Sequence, residues 1–165
     1  MEKKNKPLFQ GIAEGFLNCA IENYYENPCW DTFCRILDQL INAWVFNFTA
    51  IRPFEIEEGR GQYKTFQTPD YGYAFIVYTG PDKNPEMKDA EMEAFVSWRQ
   101  VLSTAAENIN CTGIVINPYS GRQALVWVNP VYIRLVIKNA QKKLEKKGKE
   151  RAETDSDSSQ ESCSK

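Results

Sequence analysis

Apolar residues recur at three- and four-residue steps in two segments near the start of the chain, which is the spacing of one helix face. The first segment covers residues 9–24 and the second covers 30–41. Asn27 and Pro28 precede the second segment, and these residue types are typical of an N-cap and a first helical position. The pattern therefore predicts two helices, with Asn27 as the N-cap of the second.

Short apolar runs follow, and they are typical of strands. The run 43–51 is rich in Val, Phe and Trp and is followed by Pro53, which favours a strand buried on at least one face. Weak alternation at 63–67 and the apolar run 73–79 come next, separated by Gly-rich and Pro-containing turn sequences. We expect these runs to form a meander of three strands.

After a charged stretch in which Asn84-Pro85 is a possible helix start, the pattern alternates between strand and helix. The run "AFVSW" predicts a strand, and Ser97 or Trp98 leads into the short amphipathic helix "RQVLSTAAEN". A further strand begins at Gly113. We expect this order of elements to form a βαβ-like unit.

The string "NPYSGRQ" separates the apolar runs "GIVI" and "ALVWV", which predicts a hairpin. Pro118 has its φ angle fixed as position i+1 of a type I turn requires, Asn117 suits position i, and Gly121 tolerates a positive φ. Beyond the hairpin, Asn129-Pro130 repeats the capping signal ahead of an apolar helical stripe. From about residue 142 the chain is charged and lacks large apolar residues, which predicts a disordered tail.

Together these elements predict an α+β fold: a single domain with a mixed, mostly antiparallel sheet of about five to six strands and helices packed on it. The chain has 165 residues, of which 42% are hydrophobic, enough for one core. We divide it into an N-terminal helix at 1–26, an α+β domain at 27–141 and the charged tail at 142–165.

The chain contains no histidine, which excludes Ser-His-Asp catalysis, Cys-His catalysis and His-based metal sites. The five cysteines show no C-x-x-C spacing, so we expect no metal and no cofactor. Three carboxylates, Glu55, Glu57 and Glu58, lie near a Gly-rich turn and are interpreted as a solvated loop. We expect a protein that is not an enzyme.

The start of the chain lacks the apolar core of a signal peptide, and no apolar run is long enough for a membrane span. With an odd number of cysteines, this favours a reducing, cytoplasmic location. The basic block 138–151 occupies one helix face, and the formal net charge is −2. We therefore expect no nucleic-acid partner and no membrane span.

Three stretches, "NPCWDTFCRILDQLINAWVF", "YGYAFIVYTG" and "GIVINPYSGRQALVWVNPVYIRLV", resemble the SseB N-terminal domain family, a bacterial domain named for serine sensitivity. The resemblance covers about residues 27–138. It implies a helix leading into an apolar strand, a strand that ends in a Thr-containing turn, and an Asn-Pro hairpin before a closing helix. It implies no catalytic residues.

Two functions follow as hypotheses. The first is a regulatory or interaction module that binds an unidentified protein partner through its hairpin loop and nearby tyrosines. That surface comprises Asn117, Pro118, Tyr119, Ser120, Gly121 and Arg122, with Tyr71 and Tyr73. The second is a small-molecule or enzymatic site built from Tyr119, Ser120, Arg122 and Asp70. Alternatively, the loop merely turns the chain and the tyrosines cover the edge of the core.

Overall fold

The computed structural model describes residues 8–68, 72–80, 83, 91–118, 121 and 124–158. These residues contain four helices, α1 Leu8–Glu26, α2 Trp30–Val45, α3 Trp98–Glu107 and α4 Pro130–Ser158. They also contain seven strands, β1 Thr49–Glu57, β2 Arg60–Tyr63, β3 Thr65–Thr68, β4 Gly72–Val77, β5 Glu91–Ser97, β6 Cys111–Ile116 and β7 Val126–Val128.

The strands form two sheets, one with the order β2-β1-β5 and one with the order β3-β4-β6-β7. All pairings are antiparallel except that of β4 with β6. A single bridge between Ile51 and Tyr78, with N–O distances of 3.0 and 2.7 Å, links the sheets. The α+β class and the mostly antiparallel pairing are confirmed, but the strands are shared between two sheets.

The helical periodicity of the first two segments is confirmed. Leu17 and Ile21 of α1 and Ile36 and Leu40 of α2 are buried in the main core. The same core includes Val101 and Leu102 of α3, Ile114 and Ile116 of β6, and Ile133 and Val136 of α4. Burial of these side chains at about 1.5 to 3 kcal/mol each holds the four helices against the second sheet.

The predicted start of α2 is wrong by two residues. Cys29, and not Asn27, is the N-cap, and the helix begins at Trp30. The hydroxyl of Thr32 accepts a hydrogen bond from the Cys29 backbone N–H at 3.2 Å and donates one to the Asn27 carbonyl at 2.7 Å. The capping is therefore done by a residue inside the first turn, which makes the Asn27 side chain unnecessary.

The run 43–51 is not one strand, as the sequence predicted. Ala43 and Val45 continue the buried face of α2, and a turn with Asn47 at φ 52° separates the helix from β1. The strand then passes through Pro53 and ends at Glu57. Apolar content alone did not distinguish a buried helix end from a strand, a known ambiguity for short runs.

The predicted meander is also wrong. The turn at Glu58 and Gly59, with φ of 50° and 76°, joins β1 to β2 in a hairpin. After β2 the chain moves to the other sheet, where β3 pairs with β4. Glu55 and Glu57 belong to β1 and Glu58 lies in the turn, so the carboxylates interpreted as a loop belong largely to a strand.

The predicted βαβ-like unit is wrong as well, because β5 and β6 belong to different sheets. The parallel neighbour of β6 is β4, so the crossover contains both β5 and α3. Ser97 is the N-cap of α3, and its hydroxyl accepts a hydrogen bond from the Gln100 N–H at 3.1 Å. The predicted hairpin is confirmed in its strands, since β6 pairs with β7.

The closing helix begins as the sequence predicted. Asn129 Oδ1 accepts hydrogen bonds from the backbone N–H groups of Val131 at 3.0 Å and Tyr132 at 3.2 Å. The helix continues past residue 142 to Ser158, and its residues 148–156 are exposed. The structure thus places the first part of the predicted tail in a helix, whereas residues 159–165 and the Asn84-Pro85 pair lie outside the described residues.

Candidate functional site

The structure places the predicted hairpin loop at the carboxyl ends of the parallel strands β4 and β6. Within it, Asn117 and Pro118 are buried and Gly121 has a φ of 73°. The remaining residues of the predicted site, together with the tyrosine and the aspartate expected beside it, lie outside the described residues: Tyr119, Ser120, Arg122, Tyr71 and Asp70.

Asn117 has a structural role in this loop. Its side chain is 5% exposed, and its Oδ1 accepts a hydrogen bond from the Thr79 backbone N–H at 3.0 Å. Its Nδ2 donates to the Thr79 hydroxyl at 3.0 Å, and that hydroxyl donates to Asn18 Oδ1 of α1 at 2.6 Å. The polar atoms of Asn117 are engaged inside the protein, so its side chain is not presented to a ligand.

A more distinctive site lies where the two sheets meet beside α3. It is a cleft of about 350 Å³, within the range typical of small-molecule sites. Its lining comes from five strands and one helix, namely Arg52, Tyr63, Thr65, Tyr73, Phe75, Val96, Gln100, Val101 and Thr104. We call it the Arg52 cleft. Aromatic and aliphatic side chains form most of its wall.

Arg52 occupies this cleft because of its position in β1. It is opposite Ala94 of β5 in the register of the strand pair, and it lies between the buried Ile51 and the buried Pro53. Only 6% of its surface is exposed. A strand that is buried along this stretch therefore carries a guanidinium group into the junction of the sheets.

Two aromatic rings hold the guanidinium group. Its carbon lies 4.0 Å from the centroid of the Tyr63 ring and 4.2 Å from that of Phe75. Such cation–π contacts are worth about 0.5 to 2 kcal/mol each. Because the rings belong to different sheets, Arg52 forms part of the contact between the sheets.

The guanidinium group has no counter-ion among the described residues, and its Nε has no hydrogen-bond partner there. Burial lowers the pKa of Arg52, and the nearby Tyr63, Cys111 and Tyr73 only partly oppose this effect. Cys111 does not supply a negative charge, because burial raises the pKa of its thiol and its Sγ donates to the Gly113 carbonyl at 3.2 Å. A buried charge without a partner is unusual and is often found at functional sites.

Polar groups complete the rim of the cleft. Tyr73, which the sequence analysis assigned to an interaction surface, lines the cleft and its hydroxyl accepts a hydrogen bond from Asn108 Nδ2 at 2.8 Å. The side chains of Thr65, Gln100 and Thr104 also line it. They offer hydroxyl and amide groups for a polar ligand, and none of them carries a charge.

A second, smaller cleft adjoins the first and shares Tyr63, Thr65 and Tyr73 with it. Its volume is about 310 Å³, and it adds Glu55, Gln62 and Lys64. One acidic and one basic side chain line it, so it contributes no net charge. The positive character of the combined site comes from Arg52.

Sequence reasoning missed this site, although one signal was present. Arg52 is the charged residue within "AIRPF", and a charge inside a buried strand requires a partner or a function. The aromatic neighbours Tyr63 and Phe75 lie far from it in sequence, and no local pattern links them. The sequence therefore indicated an anomalous residue without its surroundings.

In the part of the chain that the structure describes, no helix is long and apolar enough to cross a membrane. The same residues contain no group of three or more acidic or cysteine side chains that could hold a metal ion. Comparison of the chain with protein-family models, with curated proteins and with solved structures gave no match. The function is therefore argued from the geometry of the site.

Proposed function

We propose that this chain is a non-enzymatic binding module that holds a small anionic group in the Arg52 cleft. The observation that carries the proposal is a guanidinium group on a residue that is 6% exposed, with no counter-ion among the described residues and no hydrogen-bond partner there for its Nε. Removing such a charge from water costs several kcal/mol. A bound anion would supply the missing ion pair and the missing hydrogen bonds.

The same surroundings make a catalytic role less favourable than a binding role. The described residues that line the cleft include no acid and no cysteine, and the chain has no histidine. General acid–base catalysis needs a group that changes protonation near neutral pH. Threonine, glutamine and tyrosine hydroxyl or amide groups instead provide fixed hydrogen bonds, as a binding site requires.

The resemblance to the SseB N-terminal domain family supports this proposal, because the family implies no catalytic residues. With it we propose a bacterial, cytoplasmic protein. The cysteine content supports a reducing compartment. Within that setting, a module that responds to a small anion would act by regulating or interacting with other proteins.

The direct test is an NMR titration of the full-length chain with acetate and, separately, with inorganic phosphate. We expect at least one anion to shift the side-chain Nε–H resonance of Arg52 and the backbone resonances of Tyr73 and Val101. Arg52→Met should abolish these shifts, whereas Arg60→Met, on the exposed strand β2, should preserve them. The absence of shifts with both anions, or equal shifts in both variants, would refute the anion site.

A protein partner is the second candidate function, and an exposed aromatic cluster favours it. Trp30 is 57% exposed, and its ring lies 5.7 Å from that of Tyr132 and 6.0 Å from that of Phe33. Val131, next to Tyr132, is 67% exposed. Affinity capture with the wild type and with Trp30→Ala should differ in one stoichiometric protein, and identical captures would count against this surface.

A further inference from the structure

We infer that the ligand of the Arg52 cleft is a monocarboxylate with an uncharged, apolar body. This inference rests on the proposed anion site and specifies what that site selects. Three features carry it: the amount of charge in the cleft, the N–H groups that the guanidinium group leaves for a ligand, and the chemistry of the cleft wall. Each restricts the ligand in a different way.

The charge of the site favours a single negative charge. Arg52 is the charged side chain among the described residues that line the cleft. The adjoining cleft adds Glu55 and Lys64, whose opposite charges give no net contribution. One carboxylate neutralises one guanidinium group, whereas a dianion would leave one negative charge without a partner among the described lining residues. Uncompensated buried charge is strongly unfavourable.

The geometry of Arg52 favours a planar acid group. The rings of Tyr63 and Phe75 contact the guanidinium group at 4.0 and 4.2 Å from its carbon, so its N–H groups are left to bind along the edge. The Nε is buried and has no described partner, so a ligand would be bound by the terminal N–H groups. Two parallel N–H groups match the two oxygens of a carboxylate in one plane.

The wall of the cleft favours an apolar body behind the carboxylate. Phe75, Val96 and Val101 line it without charge. Each methylene of a ligand that is buried there would add to the affinity. Thr65 and Thr104 also line the cleft and add hydrogen-bonding groups to it. These features select against a highly polar or multiply charged ligand, even one that carries a carboxylate.

The test compares three probes that share a phenyl ring: benzoate, benzyl alcohol and phenyl phosphate. Their affinities for the full-length chain are measured by NMR titration at pH 7.5, where phenyl phosphate is mostly dianionic because its second pKa is near 6. We expect benzoate to bind at least about tenfold more tightly than the other two. Arg52→Met should weaken benzoate binding by about tenfold or more, and Arg60→Met should not.

The outcomes separate this inference from the proposal on which it rests. If phenyl phosphate binds more tightly than benzoate and loses affinity in Arg52→Met, the inference of a monocarboxylate ligand is wrong and the proposed anion site stands. If benzyl alcohol binds as tightly as benzoate, the cleft recognises apolar groups alone and both conclusions fail. If benzoate does not bind while acetate or phosphate does, the inference that the ligand has an apolar body is wrong.

A second variant keeps the inference testable if Arg52→Met does not fold. Arg52→Lys retains the positive charge and loses the planar arrangement of N–H groups. We expect it to bind benzoate more weakly than the wild type by about tenfold, since two parallel hydrogen bonds are replaced by a point charge. Equal affinities for benzoate in Arg52→Lys and the wild type would overturn the assignment of a carboxylate by its shape.

Discussion

Thr79 and Asn117 exchange two hydrogen bonds where the parallel strands β4 and β6 end. The backbone N–H of Thr79 donates to Asn117 Oδ1 at 3.0 Å, and Asn117 Nδ2 donates to the Thr79 hydroxyl at 3.0 Å. Asn117 also has a φ of 48°, a conformation that asparagine tolerates better than most residues. The Asn-Pro string therefore begins the loop and closes the end of the sheet at the same time.

Replacing Asn117 should destabilise the protein through both of these features. In Asn117→Ala the buried backbone N–H of Thr79 loses its partner and the Thr79 hydroxyl keeps only its bond to Asn18. Alanine is also strained at a positive φ. We expect a loss of about 2 to 4 kcal/mol in the free energy of unfolding, measured by denaturant titration. Asn117→Gly relieves the strain and should lose about 1 to 3 kcal/mol. Wild-type stability of Asn117→Ala would disprove the role of this side chain.

The Asn-Pro pairs that precede α2 and α4 allow a matched comparison. Asn129 caps α4 through its Oδ1, whereas the cap of α2 is Cys29 and only the Asn27 carbonyl is used. Asn129→Ala should therefore cost about 0.5 to 2 kcal/mol. Asn27→Ala should leave the unfolding free energy within about 0.5 kcal/mol of the wild type. Equal losses at the two positions would contradict this assignment of the caps.

Gly113 is required by a close approach of the backbone. It has a φ of 123°, and a Cβ built there would lie 2.1 Å from the carbonyl oxygen of Val128 in the partner strand β7. Gly113→Ala should cost about 3 kcal/mol or more, from strain and from separation of β6 and β7. Gly121→Ala is the control, because its φ is 73° and no atom of the described residues lies within 4 Å of the added Cβ. Its loss should be about 1 to 2 kcal/mol.

Local signals in the sequence predicted much of the secondary structure. Asn129 was placed correctly as an N-cap because capping depends on a few neighbouring residues. Ser97, the N-cap of α3, was one of the two residues expected to lead into that helix. The predicted end of α2 was wrong because Ala43 and Val45, which α2 buries in the core, are apolar residues that fit a buried strand equally well. The division into two sheets depends on long-range pairing such as Ile51 with Tyr78, for which a single sequence carries no signal.

The two candidate sites differ in how much of each could be predicted from the sequence. Asn117 was identified, but its hydrogen bonds to Thr79 were not, since they join residues that follow two different strands and are far apart in sequence. The Arg52 cleft requires Tyr63 and Phe75 to meet from different sheets. Tyr73 was chosen for its aromatic ring and lines that cleft. The sequence thus indicated which residue types to consider, but not which residues come together in space.

The cysteines should differ in reactivity toward iodoacetamide. Hydrogen bonding to Thr32 lowers the pKa of the exposed Cys29, while burial raises the pKa of Cys111. Since the thiolate is the nucleophile, Cys29 should react in the native protein at a lower pH than an ordinary thiol. Cys111 should react after unfolding. Mass spectrometry of digested samples measures both, and rapid native labelling of Cys111 would contradict its burial.

The high pKa of Cys111 in the native state has a consequence for stability at alkaline pH. Its unfolded-state pKa is about 9.0 and its native-state pKa is higher. Above the unfolded value, the unfolded chain binds fewer protons than the native chain, so stability falls as pH rises. Cys111→Ala should therefore show a smaller decrease in melting temperature between pH 8 and pH 10 than the wild type, as measured by circular dichroism.

Arg52 should limit the stability of the ligand-free protein. Its guanidinium group is buried and has no described counter-ion, so its removal from water is compensated mainly by the Tyr63 and Phe75 rings. Methionine fills similar space without a charge. Arg52→Met should unfold at the same temperature as the wild type or higher, with up to about 2 kcal/mol of added stability. Arg52→Ala should be less stable, because it leaves a cavity.

Benzoate binding distinguishes the removal of an unpaired buried charge in Arg52→Met from an ordinary improvement in packing. A ligand that binds the native state raises the melting temperature according to its affinity. Benzoate at a concentration that saturates the wild type should therefore raise the melting temperature of the wild type more than that of Arg52→Met. The difference between the two proteins should then shrink or reverse. A large loss of stability in ligand-free Arg52→Met would mean that Arg52 already has its partner within the protein. In that case the charge of Arg52 would stabilise the folded protein without a ligand, and the proposed anion site would lose its main supporting observation.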